Sequence, residues 1–163
     1  MEFKTADLCD HFSERVQIVE ETFGDFGGKV RFGGPIETIK AFEDNSRVRE
    51  CVSEPGKGRV LVVDGGASMR RAMLGDMLAA TAVENGWAGI VIYGCVRDSA
   101  EIAEMDIGVK AIGTHPCKTE KRGLGERGVS IRFAGVNFEP GHYLYADEDG
   151  ILVSETPLEL PKD

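Results

Sequence analysis

Cysteine and histidine are scarce in this sequence of 163 residues and follow no metal-binding spacing. Its cysteines form no C-x-x-C pair, and its three histidines form neither an H-x-H nor an H-E-x-x-H arrangement. Structural zinc sites and disulfide frameworks depend on such clusters, so neither is predicted. The cysteines are expected to be reduced thiols, as in a cytoplasmic protein. They are Cys9, Cys51, Cys95 and Cys117.

Long apolar runs and an excess of positive charge are also missing. The longest apolar runs are far shorter than the roughly 20 residues that cross a bilayer, and the N-terminal stretch MEFKTADLCDHF has no basic segment followed by an apolar one. No membrane or targeting segment is therefore expected. The net charge of −9 opposes direct contact with a nucleic-acid backbone, although it permits binding to a basic protein segment.

The sequence does contain enough apolar residues for one hydrophobic core. They make up 42% of the chain, which allows folding without metal or disulfide crosslinks. No stretch has the length or composition of an interdomain linker. A single domain over residues 1–163, located in the cytoplasm, is expected.

The segment from residue 59 to 98 predicts a parallel βαβ unit. Two apolar, β-branched runs, Arg59–Asp64 and Ala88–Tyr93, each stop at glycine and have the character of buried strands. Between them apolar residues recur at helical spacing, and Asn85-Gly86 provides a helix stop. A helix over Gly75–Asn85 is therefore predicted between two parallel strands.

The predicted helix and the second strand run in opposite directions over nearly the same distance. The helix advances about 15 Å at ~1.5 Å per residue, and the second strand returns about 17 Å at ~3.3 Å per residue. The helix N-terminus at Gly75–Leu78 and the turn at Arg97-Asp98 should therefore lie at the same edge of the sheet. Ligands of open α/β sheets bind at that edge.

Three kinds of chemical group would meet there. Arg97 offers a planar fork of donors that suits a carboxylate or an enolate oxygen. Asp98 offers a hard oxygen ligand for a divalent cation such as Mg²⁺ or Mn²⁺, and Asp76 is placed to orient Arg97 or a metal-bound water. Backbone N–H groups at the positive end of the helix can hold a substrate carboxylate. These substrate-binding positions are Gly75, Asp76, Met77 and Leu78.

Structural interpretations of the same residues remain open. Asp98-Ser99-Ala100-Glu101 fits a helix N-cap with a carboxylate three residues later. Arg97 fits a solvated surface charge, and Asp76 fits a first-turn acid that favours the helix dipole. Cys95 fits either a thiol activated by the nearby arginine or a small buried residue.

The spacing and its surroundings resemble a known family. Asp76 is followed after twenty residues by Arg97-Asp98, and the flanking strands read VLVVDGG and IVIYG. This pattern is similar to the family that joins the regulator of ribonuclease activity A with the 4-hydroxy-4-methyl-2-oxoglutarate aldolases. The resemblance covers nearly the whole chain and includes Leu8-Cys9-Asp10, the FEDN motif at 42–45 and the YLYAD motif at 143–147.

The resemblance implies a fold, an assembly and an activity. It implies a β/β/α swivelling-domain fold, a homotrimer, and a metal-dependent lyase that works through a pyruvate enolate. The implied reactions are cleavage of 4-hydroxy-4-methyl-2-oxoglutarate into two pyruvates and decarboxylation of oxaloacetate. In longer aldolases of the family a glutamate of a neighbouring subunit is implicated as a base, and this sequence shows no evident counterpart.

The resemblance also implies an alternative function without catalysis. Regulator members of the family inhibit ribonuclease E by protein contact, and an acidic trimer could dock on basic segments of such a partner. Regulators can lack the carboxylate that follows the arginine. Because this sequence keeps Asp98, the pattern favours the enzyme.

The remaining sequence predicts short elements around the βαβ unit. Thr5 is predicted to cap a short helix, Lys29–Phe32 and Ile36–Phe42 to form strands, and Asn45 to open a helix that ends near Val52. A short helix over 99–105 and further short strands after residue 108 complete a layered α/β fold. The charged stretch 114–128 is predicted to be a mobile loop, and its G-x-G-x-x-G motif lacks the strand and helix of a dinucleotide site.

Overall fold

Short helices and strands alternate in the computed structural model, which describes residues 2–20 and 23–160. In chain order the helices are α1 (Thr5–Phe12), α2 (Ser46–Val52), α3 (Asp76–Glu84) and α4 (Ser99–Ile102), and the strands are β1 (Val16–Ile18), β2 (Gly24–Asp25), β3 (Phe32–Lys40), β4 (Val60–Asp64), β5 (Ala72–Leu74), β6 (Gly89–Val96), β7 (Gly108–Thr114), β8 (Glu126–Arg127), β9 (Ile131–Phe133), β10 (Val136–Phe138), β11 (Tyr143–Asp147) and β12 (Gly150–Ser154).

Strands β3, β4, β6 and β7 pair in parallel and form the centre of the main sheet. Its order within the described residues is β1-β12-β11-β3-β4-β6-β7-β2, with β5 beside β6 and β8 beside β3. Thr38, Val62 and Val91 stand in register across the three neighbouring strands. Because α3 connects the parallel neighbours β4 and β6, the predicted βαβ unit is confirmed.

The central strands are buried on both faces. Leu61 and Val63 of β4 belong to a core shared with α2 and α3, whereas Val60 and Val62 belong to a second core shared with the β9–β10 hairpin, β11 and β12. Successive side chains of a strand point to opposite faces, so a continuous apolar run serves both cores. The layered α/β prediction is confirmed. No helix within the described ranges is long and apolar enough to cross a membrane.

Aromatic stacking holds the β9–β10 hairpin on the central sheet. Phe133 of β9 stacks on Tyr93 of β6, with ring centroids 4.7 Å apart and planes inclined by 8°. Phe138 of β10 stacks in turn on the Phe133 ring, with centroids 4.4 Å apart. The hairpin is therefore a third layer opposite the helices.

Several predicted element boundaries differ from the structure: the helix predicted over 99–105 ends at Ile102, and two strands differ because of long-range pairing. Strand β6 continues past Gly94 to Val96 because β5, which the sequence does not predict, pairs with this extension. Strand β3 begins at Phe32, so the separate short strand predicted over Lys29–Phe32 is wrong. In both cases pairing with a distant segment, which no local pattern reveals, decides where the strand ends.

The predicted cap at Thr5 is also wrong. Lys4 occupies the N-cap position, and Thr5 is the first residue of α1. The Thr5 N–H and hydroxyl donate to the Asp147 carboxylate at 2.7 and 2.6 Å. The start of α1 is thus satisfied by a residue far away in the sequence.

Asp44 anchors the charged loop 114–128. Its carboxylate accepts hydrogen bonds from the N–H and hydroxyl of Ser46 and from the backbone N–H groups of Arg122 and Leu124, at 2.6 to 3.1 Å. Burial alone would raise the pKa of Asp44, but these hydrogen bonds outweigh it and lower the pKa to about 2. The loop predicted to be mobile therefore has fixed attachments to the start of α2.

Arg47 adds a second attachment to this loop. Its guanidinium donates to the carbonyl oxygens of Gly123 and Gly125 at 2.5 and 3.2 Å. Gly123, Gly125 and Gly128 all have positive φ, the conformation that glycine adopts most readily. The glycines of the G-x-G-x-x-G motif thus shape turns in an anchored loop.

Replacing Asp44 with Asn should lower the free energy of unfolding by about 2 kcal/mol at pH 7, because a carboxylate whose pKa falls from 3.8 to about 2 on folding contributes about that much. A lowered folded pKa gives a contribution that is complete above about pH 4 and is lost as the pH falls through about 2. Urea denaturation at pH 7 and pH 3 should give a difference from wild type that is about half as large at pH 3. Equal differences at both pH values, or none, would contradict the assignment. The exposed Asp106→Asn variant is the control.

Candidate functional site

Helix α3 begins with a residue that cannot cap it. Gly75 occupies the N-cap position and has no side chain to accept a hydrogen bond from the first turn. Instead Oδ2 of Asp98, at the end of the βαβ unit, accepts a hydrogen bond from the Asp76 N–H, with an N···O distance of 3.0 Å. A Cβ atom at Gly75 would lie 2.8 Å from that oxygen. Glycine therefore makes room for the carboxylate.

Asp98 itself has an unusual backbone. Its φ of 54° and ψ of 40° lie in the left-handed region, which aspartate tolerates better than most residues. It occupies the N-cap position of α4, but its side chain makes no capping bond to that helix. The predicted cap is thus correct in position, whereas the carboxylate caps α3.

Arg97 is held beside this cap. Its N–H donates to the Leu74 carbonyl oxygen at 2.9 Å, and its Nε lies 4.0 Å from Asp98 Oδ2. The side chains of Arg97 and Asp98 are 38% and 34% exposed, so both remain reachable from solvent. Asp76 is predicted to orient Arg97, but the ion pair that Arg97 forms within the described residues is with Asp98.

The hydrogen bond from the Asp76 N–H lowers the pKa of Asp98 most strongly. Partial burial opposes this effect, while the Asp76 side chain and the positive charge of Arg97 lower the pKa further. Asp98 is therefore ionised at neutral pH and available as an oxygen ligand.

The first turn of α3 leaves further N–H groups at the site. The helical hydrogen bonds begin with the Ala79 N–H donating to the Gly75 carbonyl oxygen, so the ladder does not use the N–H groups of Met77 and Leu78. The Met77 side chain is 79% exposed, whereas Leu78 packs partly against the core. These two positions can therefore bind an anion through the backbone.

All six predicted site residues line one cleft of about 420 Å³. The rest of its lining comes largely from α2 and from the loop after β7, and there the structure adds three cations that the sequence does not predict. No local signal marks them, because they come from a helix and a loop far from the βαβ unit. They are Arg49, Lys118 and Lys121.

The donor set of the cleft suits a hard divalent cation. No group of three or more His, Cys, Asp or Glu side chains within the described part of the chain could hold a metal ion. An ion here would take oxygens from Asp98 and Asp76 and its other ligands from water and substrate, as Mg²⁺ commonly does. The helix cap uses Oδ2 of Asp98 and leaves Oδ1 as a ligand for such an ion, so the residues fit it.

Cys95 has the structural role. It is fully buried, burial raises the pKa of its thiol, and its Sγ lies 3.4 Å from Met69 Sδ. An activated thiol would need a lowered pKa and solvent access. The reactive interpretation of Cys95 is therefore wrong.

The capped helix, the parallel sheet and the cleft define a layered α/β protein whose cleft lies at the carboxyl edge of the parallel strands, where open α/β sheets bind their ligands. The chain belongs to the RraA-like family, since the family model described as Aldolase/RraA matches residues 5–153. The resemblance seen in the sequence is thereby confirmed.

Relatives of this chain have been given three kinds of name. A protein of Alkalilimnicola ehrlichii, provisionally named a 4-hydroxy-4-methyl-2-oxoglutarate aldolase, is 60% identical over 158 residues, 97% of this chain and 98% of its own length. The solved structure of the RNA-processing inhibitor RraA from Thermus thermophilus has a TM-score of 0.94 at 45% identity and covers 98% of this chain and 96% of its own. A Geobacillus kaustophilus structure named an S-adenosylmethionine:2-dimethylmenaquinone methyltransferase has a TM-score of 0.94 at 54% identity, with coverages of 96% and 97%.

Replacing Asp98 with Ala should lower the free energy of unfolding by about 1 kcal/mol, because α3 loses its cap. Asp98→Asn should lose less, since an amide oxygen can accept the same hydrogen bond and asparagine also tolerates the left-handed backbone. Urea denaturation at pH 7 measures both losses. An alanine variant as stable as wild type would show that the cap contributes nothing.

Proposed function

We propose that the protein is a divalent-metal-dependent lyase that cleaves 2-oxo acids through a pyruvate enolate. The observation that carries the proposal is the convergence of Arg97, Asp98 and the first turn of α3 on one cleft. The relatives named as 4-hydroxy-4-methyl-2-oxoglutarate aldolases support it. We expect it to act as a homotrimer in the cytoplasm on a small 2-oxo acid.

Each group has a part in enolate formation. The N–H groups of Met77 and Leu78 hold the carboxylate next to the ketone, and Arg97 donates to the ketone oxygen, whose negative charge grows as the bond beyond the ketone breaks. Asp98 and Asp76 provide carboxylate oxygens for Mg²⁺ or Mn²⁺, and Asp76 also accepts a hydrogen bond from water in the cleft. When bound, the ion supplies Lewis acidity at the ketone.

Two cleavages share this enolate. In oxaloacetate the bond to the distal carboxylate breaks, carbon dioxide leaves, and the electron pair remains in the enolate, which takes a proton from water to give pyruvate. Cleavage of 4-hydroxy-4-methyl-2-oxoglutarate also needs a base that removes the hydroxyl proton as the second pyruvate forms. Because the sequence shows no evident counterpart of the glutamate used by longer aldolases, we expect decarboxylation to be the faster reaction.

The second candidate is regulation of ribonuclease E by protein contact. It is favoured by the 45% identity to the RNA-processing inhibitor RraA and by the net charge of −9, which suits a basic protein segment. The methyltransferase name has less support from the cleft, because the sulfonium cation of S-adenosylmethionine would meet Arg49, Arg97, Lys118 and Lys121.

Purified protein should release pyruvate from oxaloacetate in the presence of Mg²⁺ and lose this activity with a chelator.

Asp98→Asn should reduce metal-dependent turnover at least about 100-fold because a metal ligand is lost while the helix cap remains. Arg97→Lys should also reduce kcat at least about 100-fold, since a point charge cannot replace the planar fork at the enolate oxygen. Coupled pyruvate detection measures both.

Asp106→Asn, an exposed acid outside the cleft, is the matched control and should keep full activity. Metal-independent turnover, or an unchanged rate in folded Asp98→Asn, would refute the lyase proposal. Inhibition of ribonuclease E by the wild type and by Asp98→Asn alike, without pyruvate release by either, would favour the regulator instead.

A further inference from the structure

The part of the cleft lined by α2 and by the loop after β7 carries positive charge, and two of its cations form no ion pair within the described residues. Arg49 of α2 and Lys118 of the anchored loop both line it and are exposed. Neither forms a salt bridge with any residue in the described ranges, whereas Arg47, on the same helix as Arg49, pairs with Glu50 at 2.6 Å. In a chain with 28 acidic and 19 basic residues, unpaired cations gathered at one cleft indicate an anionic ligand.

The cleft also has room beyond the reacting end of a 2-oxo acid. Its volume of about 420 Å³ is much larger than a three-carbon acid requires. Pyruvate held by Arg97 and the first turn of α3 would leave the α2 wall without a ligand. A substrate with a second carboxylate would reach across the cleft to that wall.

We propose that Arg49, supported by Lys118, binds the second carboxylate of a dicarboxylic 2-oxo acid and selects such acids over pyruvate-sized ones. This inference rests on the proposed function, because that function places the ketone at Arg97 and Asp98. The guanidinium of Arg49 presents paired donors that match a carboxylate. Lys118 contributes a point charge beside it.

The role of Arg49 differs between the two cleavages. In 4-hydroxy-4-methyl-2-oxoglutarate the second carboxylate stays a carboxylate and leaves on the second pyruvate, so Arg49 binds substrate and transition state equally and lowers KM. In oxaloacetate the second carboxylate becomes neutral carbon dioxide. A cation on that group stabilises the ground state more than the transition state, so Arg49 does not accelerate decarboxylation.

Binding of 2-oxoglutarate and pyruvate in the presence of Mg²⁺ tests the inference. 2-Oxoglutarate has the same spacing of carboxylates as the aldol substrate but lacks the hydroxyl needed for cleavage. Titration calorimetry should show Arg49→Gln weakening 2-oxoglutarate binding about 10-fold to 100-fold and leaving pyruvate binding unchanged. Lys118→Gln should weaken it less.

The matched control is Arg132→Gln, which removes an exposed arginine of the β9–β10 hairpin and should change neither affinity. Kinetics add an independent readout: Arg49→Gln should raise KM for the aldol substrate and for oxaloacetate, with little change in kcat for the aldol cleavage and no fall in kcat for the decarboxylation. Unchanged 2-oxoglutarate affinity, or equal weakening of both ligands, would overturn the role of Arg49 while the lyase proposal stands. Wild-type protein that binds neither acid and releases no pyruvate would overturn both.

Discussion

The hydrogen bond from the Asp76 N–H to the Asp98 carboxylate joins the two ends of the βαβ unit that the parallel topology brings to one edge. Topology alone places the start of α3 near the turn after β6, but it does not fix their distance. This bond, 3.0 Å long, does so, and the missing side chain of Gly75 provides the space it needs. The geometry of Arg97 relative to the first turn of α3 depends on it.

One carboxylate therefore has a structural role and, in the proposed function, a chemical one as well. The helix N–H and Arg97 both stabilise its negative charge and lower the pKa of Asp98. An acid that the fold keeps ionised can bind a cation without first losing a proton. The left-handed backbone of Asp98, at φ 54°, is the kind of local strain that persists where surrounding contacts impose it. The cap and the candidate metal ligand are thus consequences of the same arrangement.

Periodicity in the sequence was sufficient to predict the βαβ unit and the shared edge, because the apolar spacing that defines strands and a helix is local. It did not reveal which helix Asp98 caps, since its hydrogen-bond partner Asp76 is 22 positions away and both ends of the unit carry suitable acids. It also missed Arg49 and Lys118, because long-range folding alone brings α2 and the loop after β7 to the cleft. The charged loop gave the pattern of a mobile segment, as its anchors at Asp44 lie outside the loop itself.

Asn45 connects the two walls of the cleft and keeps them at a set distance. Its Nδ2 donates to the Met73 carbonyl oxygen at 3.1 Å, two residues before Gly75, and its Oδ1 accepts from the Thr119 hydroxyl at 2.8 Å, next to Lys118. Asn45 is 7% exposed, so water competes little for these bonds. The proposed reacting groups and the distal cations therefore belong to one hydrogen-bonded frame. If the cleft binds 2-oxo acids as proposed, this frame sets the length of acid that can contact both Arg97 and Arg49.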